Sequence, residues 1–366
     1  MNERKLKPGW KIARFGDLVR NANLVERNPE AAGIERIVGL DHFEPGNLHI
    51  RRWDTPGNGT SFTRKFKQGQ TLFGKRRAYQ HKVAYAEFEG ICSSDILTFE
   101  SKDKKSLLPE LLPFICQADA FFEHALGTSA GSLSPRTSWG ALSDFEFALP
   151  PNEEQKRIAE ILWAVDSVFE SLVVVGHNCS MVLETEIHAL TNQALVSPSR
   201  QLGDYLTLSY GHALQESMRT GSDYPVVGSS GVVGHHESFL IDGPAIIVGR
   251  KGAAGSIIWC EGACWPIDTT YYAEPVDPSG MDLRYLYYIL SGLKLQRYVI
   301  TTAIPGLSRE DVYGIRISIP SLERQQQWVT RLDSIADACV RLHEHLAALG
   351  RLKATLLRSI LGGDDV

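Results

Sequence analysis

The sequence reads Leu-Pro-Pro-Asn-Glu-Glu-Gln at residues 149–155 and Ile-Pro-Ser-Leu-Glu-Arg-Gln at residues 319–325. In both segments a proline precedes a glutamate that would lie in a first helical turn, where a carboxylate suits the positive end of the helix dipole. Apolar residues then recur at intervals of three and four. This spacing predicts an amphipathic helix after each segment.

The two segments belong to an internal repeat with a period of about 170 to 187 residues. Other matches occur in the same order along the chain. They are 15–18 with 202–205 (Phe-Gly-Asp-Leu and Leu-Gly-Asp-Tyr), 74–76 with 249–251 (Gly-Lys-Arg and Gly-Arg-Lys), 89–92 with 261–264 (Glu-Gly-Ile-Cys and Glu-Gly-Ala-Cys), and 133–134 with 307–308 (Leu-Ser in both). A conserved order with small drift in spacing indicates a duplication.

Each copy begins with short β-favouring runs and continues with helical ones. The strand-like runs are 71–73, 83–88, 245–248, 257–260 and 269–273, and the helical ones are 107–126 and 283–299. The sequence therefore predicts an α+β fold with two tandem homologous α/β domains, at 1–150 and 198–320. Helical spacer regions at 151–197 and 321–366 separate them.

The apolar stripes of the two spacer regions run from Ile158 to Leu172 and from Trp328 to Ile360. The second would be roughly 60 Å long at 1.5 Å per residue if it formed one helix. An apolar stripe most often packs against its own domain. Because these two follow homologous domains, we expect them to pack against each other as an antiparallel coiled coil.

Composition indicates a globular chain of 366 residues with 43% hydrophobic and 22% charged residues. No apolar run approaches the roughly 20 residues that span a bilayer, so we expect a cytoplasmic protein. The six cysteines are scattered, and we expect them to be reduced. Cys260 and Cys264, with His235 and His236 upstream, have some zinc-ligand character, but buried or surface thiols are favoured.

Catalytic motifs are missing from the sequence. It has no phosphate loop, no Gly-x-Ser-x-Gly elbow, no His-Glu-x-x-His and no methyltransferase Pro-Pro-aromatic signature. Residues 154–156, Glu-Gln-Lys, match a nuclease pattern, but they open a helix, and their copy at 324–326 has neither the carboxylate nor the lysine of that pattern. His343 and His345 would lie about 200° apart on a helix, unsuited to one metal ion. We therefore expect no catalytic residues and no metal site.

Charge is unevenly distributed even though the net charge is −5. Residues 64–82 carry seven Lys/Arg and no Asp/Glu, whereas 151–196 carry seven Asp/Glu against Lys156 and Arg157. In the basic segment, Lys75 to Arg77 occupy a glycine-bounded turn before Tyr79 and His81, and the Gly-Arg-Lys-Gly turn at 249–252 repeats that placement. Cations beside hydrogen-bonding and stacking groups predict DNA contact, although a solvated basic hairpin would explain either copy alone.

These features resemble the specificity subunit of type I restriction-modification systems over nearly the whole chain. The resemblance rests on 10–18, on 149–158, and on 224–231, 247–252 and 265–270 in the second domain. The first domain has Phe-Gly-Lys-Arg at 73–76 where the second has Val-Gly-Arg-Lys at 248–251. The resemblance thus implies a divergent reader of a different half-site.

The resemblance implies that each domain is a target-recognition domain for one half of a bipartite double-stranded DNA target. The helices would set the gap and dock adenine methyltransferase subunits, which restriction/translocase subunits would join. S-adenosylmethionine, ATP and Mg²⁺ would be bound by those partners, and no cofactor by this chain. An adaptor that only joins proteins, and a stand-alone restriction endonuclease, remain alternatives.

The candidate DNA contacts are Arg64, Lys65, Lys75, Arg76, Arg77, Tyr79 and His81 in the first domain, and Ser229, Ser230, His235, Arg250 and Lys251 in the second. The candidate partner contacts on the helices are Glu153, Gln155, Ile158, Leu162, Trp328 and Leu332.

Overall fold

The computed structural model of the chain describes residues 6–56, 60–197, 199–300 and 306–361. The side chain of Ile360, at the end of the predicted second stripe, lies outside the described residues. The chain forms two compact units. One extends to Leu172 and includes the segment from His345 onward, and the other runs from Val173 to Glu344.

The first unit contains two four-stranded sheets. Its strands are Lys11–Arg14, Val19–Asn21, Leu24–Val25, Ile37–Val38, Arg64–Phe66, Thr71–Gly74, Val83–Tyr85, Gly90–Cys92, Ile96–Ser101 and Glu146–Leu149. The first central sheet is antiparallel, in the order Val19–Asn21, Ile96–Ser101, Thr71–Gly74, Val83–Tyr85. The other sheet has the order Leu24–Val25, Arg64–Phe66, Gly90–Cys92, Ile37–Val38, with the last pair parallel. Lys11–Arg14 pairs with Glu146–Leu149.

Helices cover one face of the first central sheet. The short helices of the first unit are Phe15–Leu18, Leu112–Gln117, Asp119–Gly127 and Trp139–Ser143. The helical run predicted over 107–126 is interrupted because Ala118 is extended, with φ −65° and ψ 140°. Phe15, Phe73 and Phe121 are fully buried there, and the aromatic rings of Phe15 and Phe121 lie 4.9 Å apart. This aromatic core fixes the sheet against its helices.

The second unit repeats that architecture. Its strands are Arg200–Gln201, Leu206–Tyr210, Tyr224–Gly228, Gly231–His236, Ala245–Gly249, Ile257–Cys260, Trp265–Pro266, Thr270–Pro275, Val299–Ile300, Gly306–Leu307 and Arg316–Ile317, and its short helices are Leu283–Gly292 and Arg309–Tyr313. The second central sheet has the antiparallel order Leu206–Tyr210, Thr270–Pro275, Ala245–Gly249, Ile257–Cys260. A three-stranded sheet, Gly231–His236, Tyr224–Gly228, Trp265–Pro266, lies beside it.

The two central sheets have the same strand order along the chain: first, fourth, second, third. The terminal ribbon also recurs, since Arg200–Gln201 pairs with Arg316–Ile317 as Lys11–Arg14 pairs with Glu146–Leu149. The predicted duplication and α+β fold class are therefore confirmed.

Two long helices follow the domains, Asn152–Val196 with 45 residues and Leu322–Leu361 with 40. In the second unit Glu186 pairs with Arg331, while Ala194 accepts a backbone hydrogen bond from Ser318 just before the other helix. In the first unit Asp166 pairs with Lys353. Rising numbers on one helix meet falling numbers on the other, so the helices form the predicted antiparallel coiled coil.

The expectation that all six cysteines are reduced is wrong for one pair. Cys179 and Cys339 form a disulfide across the two long helices in the second unit, with their Cα atoms 5.7 Å apart. The two cysteines face each other because the antiparallel arrangement places both where the long helices contact each other. Their separation in the sequence gives no sign of this contact. Cys92, Cys116, Cys260 and Cys264 are free and buried.

Candidate nucleic-acid interface

The basic turn of the first domain connects Thr71–Gly74 to Val83–Tyr85 at one end of the first central sheet. Backbone hydrogen bonds fix it, since Lys75 N–H donates to the carbonyl of Asp95 at 2.9 Å and Lys75 C=O accepts from Thr137 N–H at 3.0 Å. Arg77 N–H donates to the carbonyl of Pro135 at 2.8 Å. The turn is thereby joined to the segment before the Trp139–Ser143 helix.

Asp95 holds two of the arginines beside this turn. Its carboxylate accepts from Arg136 Nε at 3.0 Å and from Arg76 at 3.4 Å, while Arg76 Nε also donates to Ser134 Oγ at 2.9 Å. Burial opposes ionisation of Asp95, but the hydrogen bonds and charges of Arg136 and Arg76 outweigh it and lower its pKa. Arg76 therefore organises the turn through its side chain.

Three predicted contacts of this turn face solvent. Arg77 is exposed and left-handed, with φ 55°. Tyr79 is 53% exposed. His81 is exposed, also left-handed, and stacks its ring 4.1 Å from that of Phe122. Positive φ values in non-glycine residues are uncommon, and here they occur at Arg77 and His81, on either side of the short helical turn that carries Tyr79.

The other predicted contacts of the first domain are more enclosed. Lys75 is half-buried, and burial together with the charge of Arg64 lowers its pKa. Arg64 donates to the carbonyls of Ser94 and Ile96, and Lys65 lies 3.6 Å from Glu89. Lys75 thus lies in the same turn as Arg76 and Arg77, whereas Arg64 and Lys65 belong to a strand of the neighbouring sheet.

The second domain builds the corresponding turn at the end of Ala245–Gly249. A Cβ on Gly249 would lie 2.3 Å from the carbonyl oxygen of Ala253, and Gly252 has φ +75°, so both positions require glycine. Arg250 donates through Nη2 and Nε to the carbonyl of Asp268 at 2.7 and 3.1 Å. The backbone carbonyl of Arg250 accepts from Leu307 N–H at 2.9 Å, matching the Lys75–Thr137 bond of the first domain.

The predicted serine, histidine and lysine contacts of the second domain divide by exposure. Ser229 is buried and its hydroxyl accepts from Ala253 N–H at 3.3 Å, so it supports the turn. Ser230, His235 and Lys251 are exposed. His235 lies in the Gly231–His236 strand, in the sheet beside the one that carries the turn.

Sequence reasoning missed three residues at these turns. One is Arg136, which donates to Asp95. The others are Tyr210, which is 46% exposed, and Arg309. The guanidinium groups of Arg250 and Arg309 lie 5.2 and 4.7 Å from the centre of the Tyr210 ring. Arg136, Tyr210 and Arg309 each reach these turns through contacts with residues distant in the sequence, which local patterns do not indicate.

Most predicted partner contacts on the helices are enclosed by the chain's own core. Gln155, Ile158, Leu162 and Leu332 are each no more than 2% exposed. Trp328 is half-buried beside a cavity of about 290 Å³ lined by Pro320, Arg324 and Arg331, among others. Glu153 is exposed and pairs with Lys156 at 2.9 Å.

Gln155 has a defined structural role that the sequence did not suggest. Its Oε1 accepts from Leu108 N–H at 2.9 Å, and its Nε2 donates to the carbonyls of Ser106 and Pro150 at 3.1 and 3.0 Å. Gln325 repeats the joint, accepting from Asp282 N–H at 2.8 Å and donating to Gly280 and Pro320 at 3.0 Å each. Each glutamine secures the start of its long helix to the preceding domain.

The side chains considered as metal ligands do not converge in the described ranges, where no three His, Cys, Asp or Glu side chains form a cation-binding group. Cys260 and Cys264 contact each other, and this hydrogen bond together with burial raises the pKa of Cys264. His343 Nδ1 is 2.7 Å from the carbonyl of Cys339 within its own helix.

None of the helices in the described part of the chain has the length and apolar character needed to cross a bilayer.

Comparisons with known proteins agree with this architecture. Residues 54–172 and 199–349 match the family model described as "Type I restriction modification DNA specificity domain". The EcoprrI specificity subunit of Escherichia coli is 22% identical over 166 residues, 44% of this chain and 40% of that protein. The EcoDI specificity subunit of E. coli is 29% identical over 138 residues, 35% of this chain and 29% of that protein.

The matched regions thus cover less than half the length of these curated relatives. The crystal structure of a type I restriction-modification S subunit from M. genitalium shares the fold at a TM-score of 0.69 and 17% identity, covering 100% of this chain and 98% of that one. Since the family model matches both halves of the duplication, the chain belongs to the type I restriction-modification DNA specificity family.

Proposed function

We propose that this chain is the DNA-reading subunit of a type I restriction-modification complex, in which each recognition domain reads one half of a bipartite target. The observation that carries the proposal is the recurrence of the basic turn. Arg77 in the first domain and Lys251 in the second are exposed at corresponding ends of the two central sheets. A single basic turn would suit many solvated surfaces, but two related turns suit two half-sites.

The proposal assigns different tasks to the cations around each turn. Arg76 and Arg250 are held by Asp95 and by the carbonyl of Asp268, so they shape the turns. Arg77, Tyr79, His81, Ser230, His235 and Lys251 are the exposed candidates for contact with phosphates and base edges. The antiparallel helices would fix the separation between the two half-sites.

Adenine methyltransferase subunits are the proposed partners of the helices, joined by restriction/translocase subunits. On the part of Asn152–Val196 in the second unit, Val174, Val175, Met181 and Val182 are each 48–58% exposed. They follow a seven-residue spacing, which makes an apolar seam on the outer face of the helix. This outer seam supports docking of a partner helix, in contrast to the buried Ile158 and Leu332.

We infer further that the chain is not catalytic. S-adenosylmethionine, ATP and Mg²⁺ would be bound by the partner subunits, which would carry out methylation, translocation and cleavage. A stand-alone endonuclease would instead require the purified chain to cut DNA when Mg²⁺ is added.

The proposal is tested by expressing the chain with its methyltransferase and mapping methylated adenines by single-molecule sequencing. We expect a bipartite motif with one fixed gap that disappears when the chain is omitted. Arg77→Ala with Lys251→Ala should weaken methylation at the motif while the complex still forms. Val175→Lys with Val182→Lys should abolish co-purification.

Methylation that is the same without the chain would contradict the reader function. An intact complex whose DNA affinity is unchanged by the Arg77→Ala and Lys251→Ala substitutions would favour the adaptor that only joins proteins.

A further inference from the structure

A largely enclosed histidine of the first recognition domain lies between two carboxylates. His49 Nδ1 is 2.7 Å from Oε1 of Glu87, and His49 Nε2 is 3.0 Å from Oδ2 of Asp166. The side chains of His49 and Asp166 are 11% and 2% exposed. Glu87 belongs to the recognition domain, whereas Asp166 is on the long helix Asn152–Val196.

The chemistry of this contact requires a particular protonation state. An ionised carboxylate can only accept hydrogen bonds, so both ring nitrogens must carry a proton to make both contacts. Only the imidazolium form does so. In the neutral ring, one nitrogen lone pair would face a carboxylate oxygen at hydrogen-bonding distance, and the contact would become repulsive.

A second cation reaches Asp166 from the other long helix. Lys353, 7% exposed, donates to Oδ1 of Asp166 and to the carbonyl of Gly46 at 3.3 Å. Burial disfavours the charged form of Asp166, but the hydrogen bonds and charges of His49 and Lys353 outweigh this and lower its pKa. Asp166 is thus ionised between two cations, of which Lys353 is buried.

The remaining charged groups around His49 complete a balanced set. Arg51 contacts Glu87 at 3.2 Å and Glu170 at 2.9 Å. With His49 protonated, three cations (His49, Arg51, Lys353) face three anions (Glu87, Asp166, Glu170). Arg51 is exposed, but Asp166 and Lys353 are buried. Loss of the charge on His49 is therefore costly chiefly because buried Asp166 keeps its charge with one cation fewer beside it.

The segment that carries His49 is part of the recognition domain's core. Leu48 and Ile50 are buried on either side of it, and the carbonyl of Leu48 accepts from Tyr85 N–H at 2.7 Å. Val83–Tyr85 is the strand that follows the basic turn. The charge cluster therefore connects the element behind the DNA-facing turn with both long helices inside the first unit.

We propose that His49 is a positioning residue for recognition of the first half-site. In its protonated form, His49 holds the first recognition domain in a fixed orientation on the two long helices. This inference rests on the proposed function. His49 would act through the orientation of the domain and would not touch DNA itself.

The hydrogen bond to Asp166 raises the pKa of His49, burial opposes that increase, and Glu87 adds to it. A raised pKa means that the cluster contributes fully to stability below the ordinary histidine pKa of 6.5. The contribution is lost as the pH rises through the higher pKa of the folded state. Recognition of the first half-site should therefore weaken as the pH rises above the ordinary histidine pKa.

The second unit supplies an internal contrast. There Arg284 donates to Asp333 on the other long helix at 2.8 Å, and Tyr288 donates to the same carboxylate. An arginine stays charged throughout the range over which a histidine titrates. The pH dependence is therefore expected at one half-site only.

The experiment compares the wild-type methyltransferase complex with complexes carrying His49→Gln or, as a control, His124→Gln. His124 lies in the same unit, but its Nε2 contacts the carbonyl of Ala141 and not a carboxylate. Binding to the cognate duplex, and to duplexes mutated in either half-site, is measured from pH 6 to 9. Thermal unfolding of each chain is followed over the same range.

For the wild type and His124→Gln, we expect the discrimination against mutations in one half-site to fall by about threefold or more as the pH rises, while the other half-site is unaffected. In His49→Gln this discrimination should be low and independent of pH, and the melting temperature should lose the same pH dependence.

An identical pH profile of discrimination in wild type and His49→Gln would overturn the inference. If the wild-type complex bound all duplexes equally at every pH, the proposed reader function itself would fail. The melting data distinguish these cases because they test the cluster without DNA.

Discussion

At the scale of single residues, the role of a cation near the interface depends on what its side chain already contacts. Arg76 and Arg77 are adjacent in the sequence and carry the same side chain. The guanidinium of Arg76 is held by Ser134 and Asp95, whereas Arg77 is left-handed and exposed. The basic segment could be predicted from charge density, but the division of labour within it could not, because Asp95 and Ser134 are distant in sequence.

Arg77→Ala and Arg76→Ala should therefore have different effects. Arg77→Ala is expected to weaken DNA binding by the complex by roughly 1 to 3 kcal/mol if the guanidinium contacts a base, with little change in melting temperature. Arg76→Ala should lower the melting temperature as well, since it leaves half-buried Asp95 with fewer partners. DNA titrations and thermal unfolding of both variants check this, and equal losses of stability would contradict the assignment.

The Asp95 pairing also predicts an acid response. Its pKa is lowered in the folded state, so its stabilising contribution is present above the ordinary aspartate pKa of 3.8. That contribution is lost as the pH falls through the lower folded value. In Asp95→Asn this part of the acid dependence of unfolding should disappear, whereas exposed Asp144→Asn in the same unit should retain it. Denaturant unfolding between pH 2.5 and 6 measures both.

At the scale of elements, the long helices show what periodicity can and cannot reveal. The proline, the acidic first turn and the apolar stripe predicted both helices and their antiparallel pairing. The same pattern made Gln155 look like a partner contact, although it is 1% exposed and bonded to three backbone groups. Two of those groups belong to a loop more than 40 residues upstream, which local spacing cannot indicate.

Gln155→Ala should destabilise the first unit by about 1 to 3 kcal/mol, because buried backbone donors and acceptors lose their partner. Gln325→Ala should do the same in the second unit. Gln326→Ala, at the exposed neighbouring position, is the matched control and should change stability by less than about 0.5 kcal/mol. Urea unfolding of the three variants decides the matter, and a harmless Gln155→Ala would mean that the joint carries little of the stability.

At the scale of the whole molecule, the duplication organises both units. It could be predicted because its matches keep their order, and the equal strand orders of the central sheets confirm it. The Cys179–Cys339 disulfide could not be predicted, since its partners are 160 residues apart and have no counterpart in the repeat. Closing a loop of that length removes unfolded-state entropy worth roughly 5 kcal/mol in the chain-entropy description.

Reduction should consequently lower the melting temperature of the wild-type chain, whereas Cys179→Ser should melt at the same temperature with and without reductant. Thiol titration of the denatured, unreduced protein should find the four free cysteines, and all six after reduction. Six reactive thiols before reduction would show that the link does not form in solution.

The joints at Gln155 and Gln325 have a consequence for how such a chain diversifies. Each uses an amide, a Pro carbonyl five residues earlier and two backbone groups of the preceding domain. The joint is the same in both places, whereas the surfaces that face solvent differ. If recombination exchanged the two recognition domains within the gene, each domain would therefore meet a long helix whose glutamine can make the same hydrogen bonds to it. The solvent-facing surface of a domain can then change during evolution without any change in the helices to which the domain is joined.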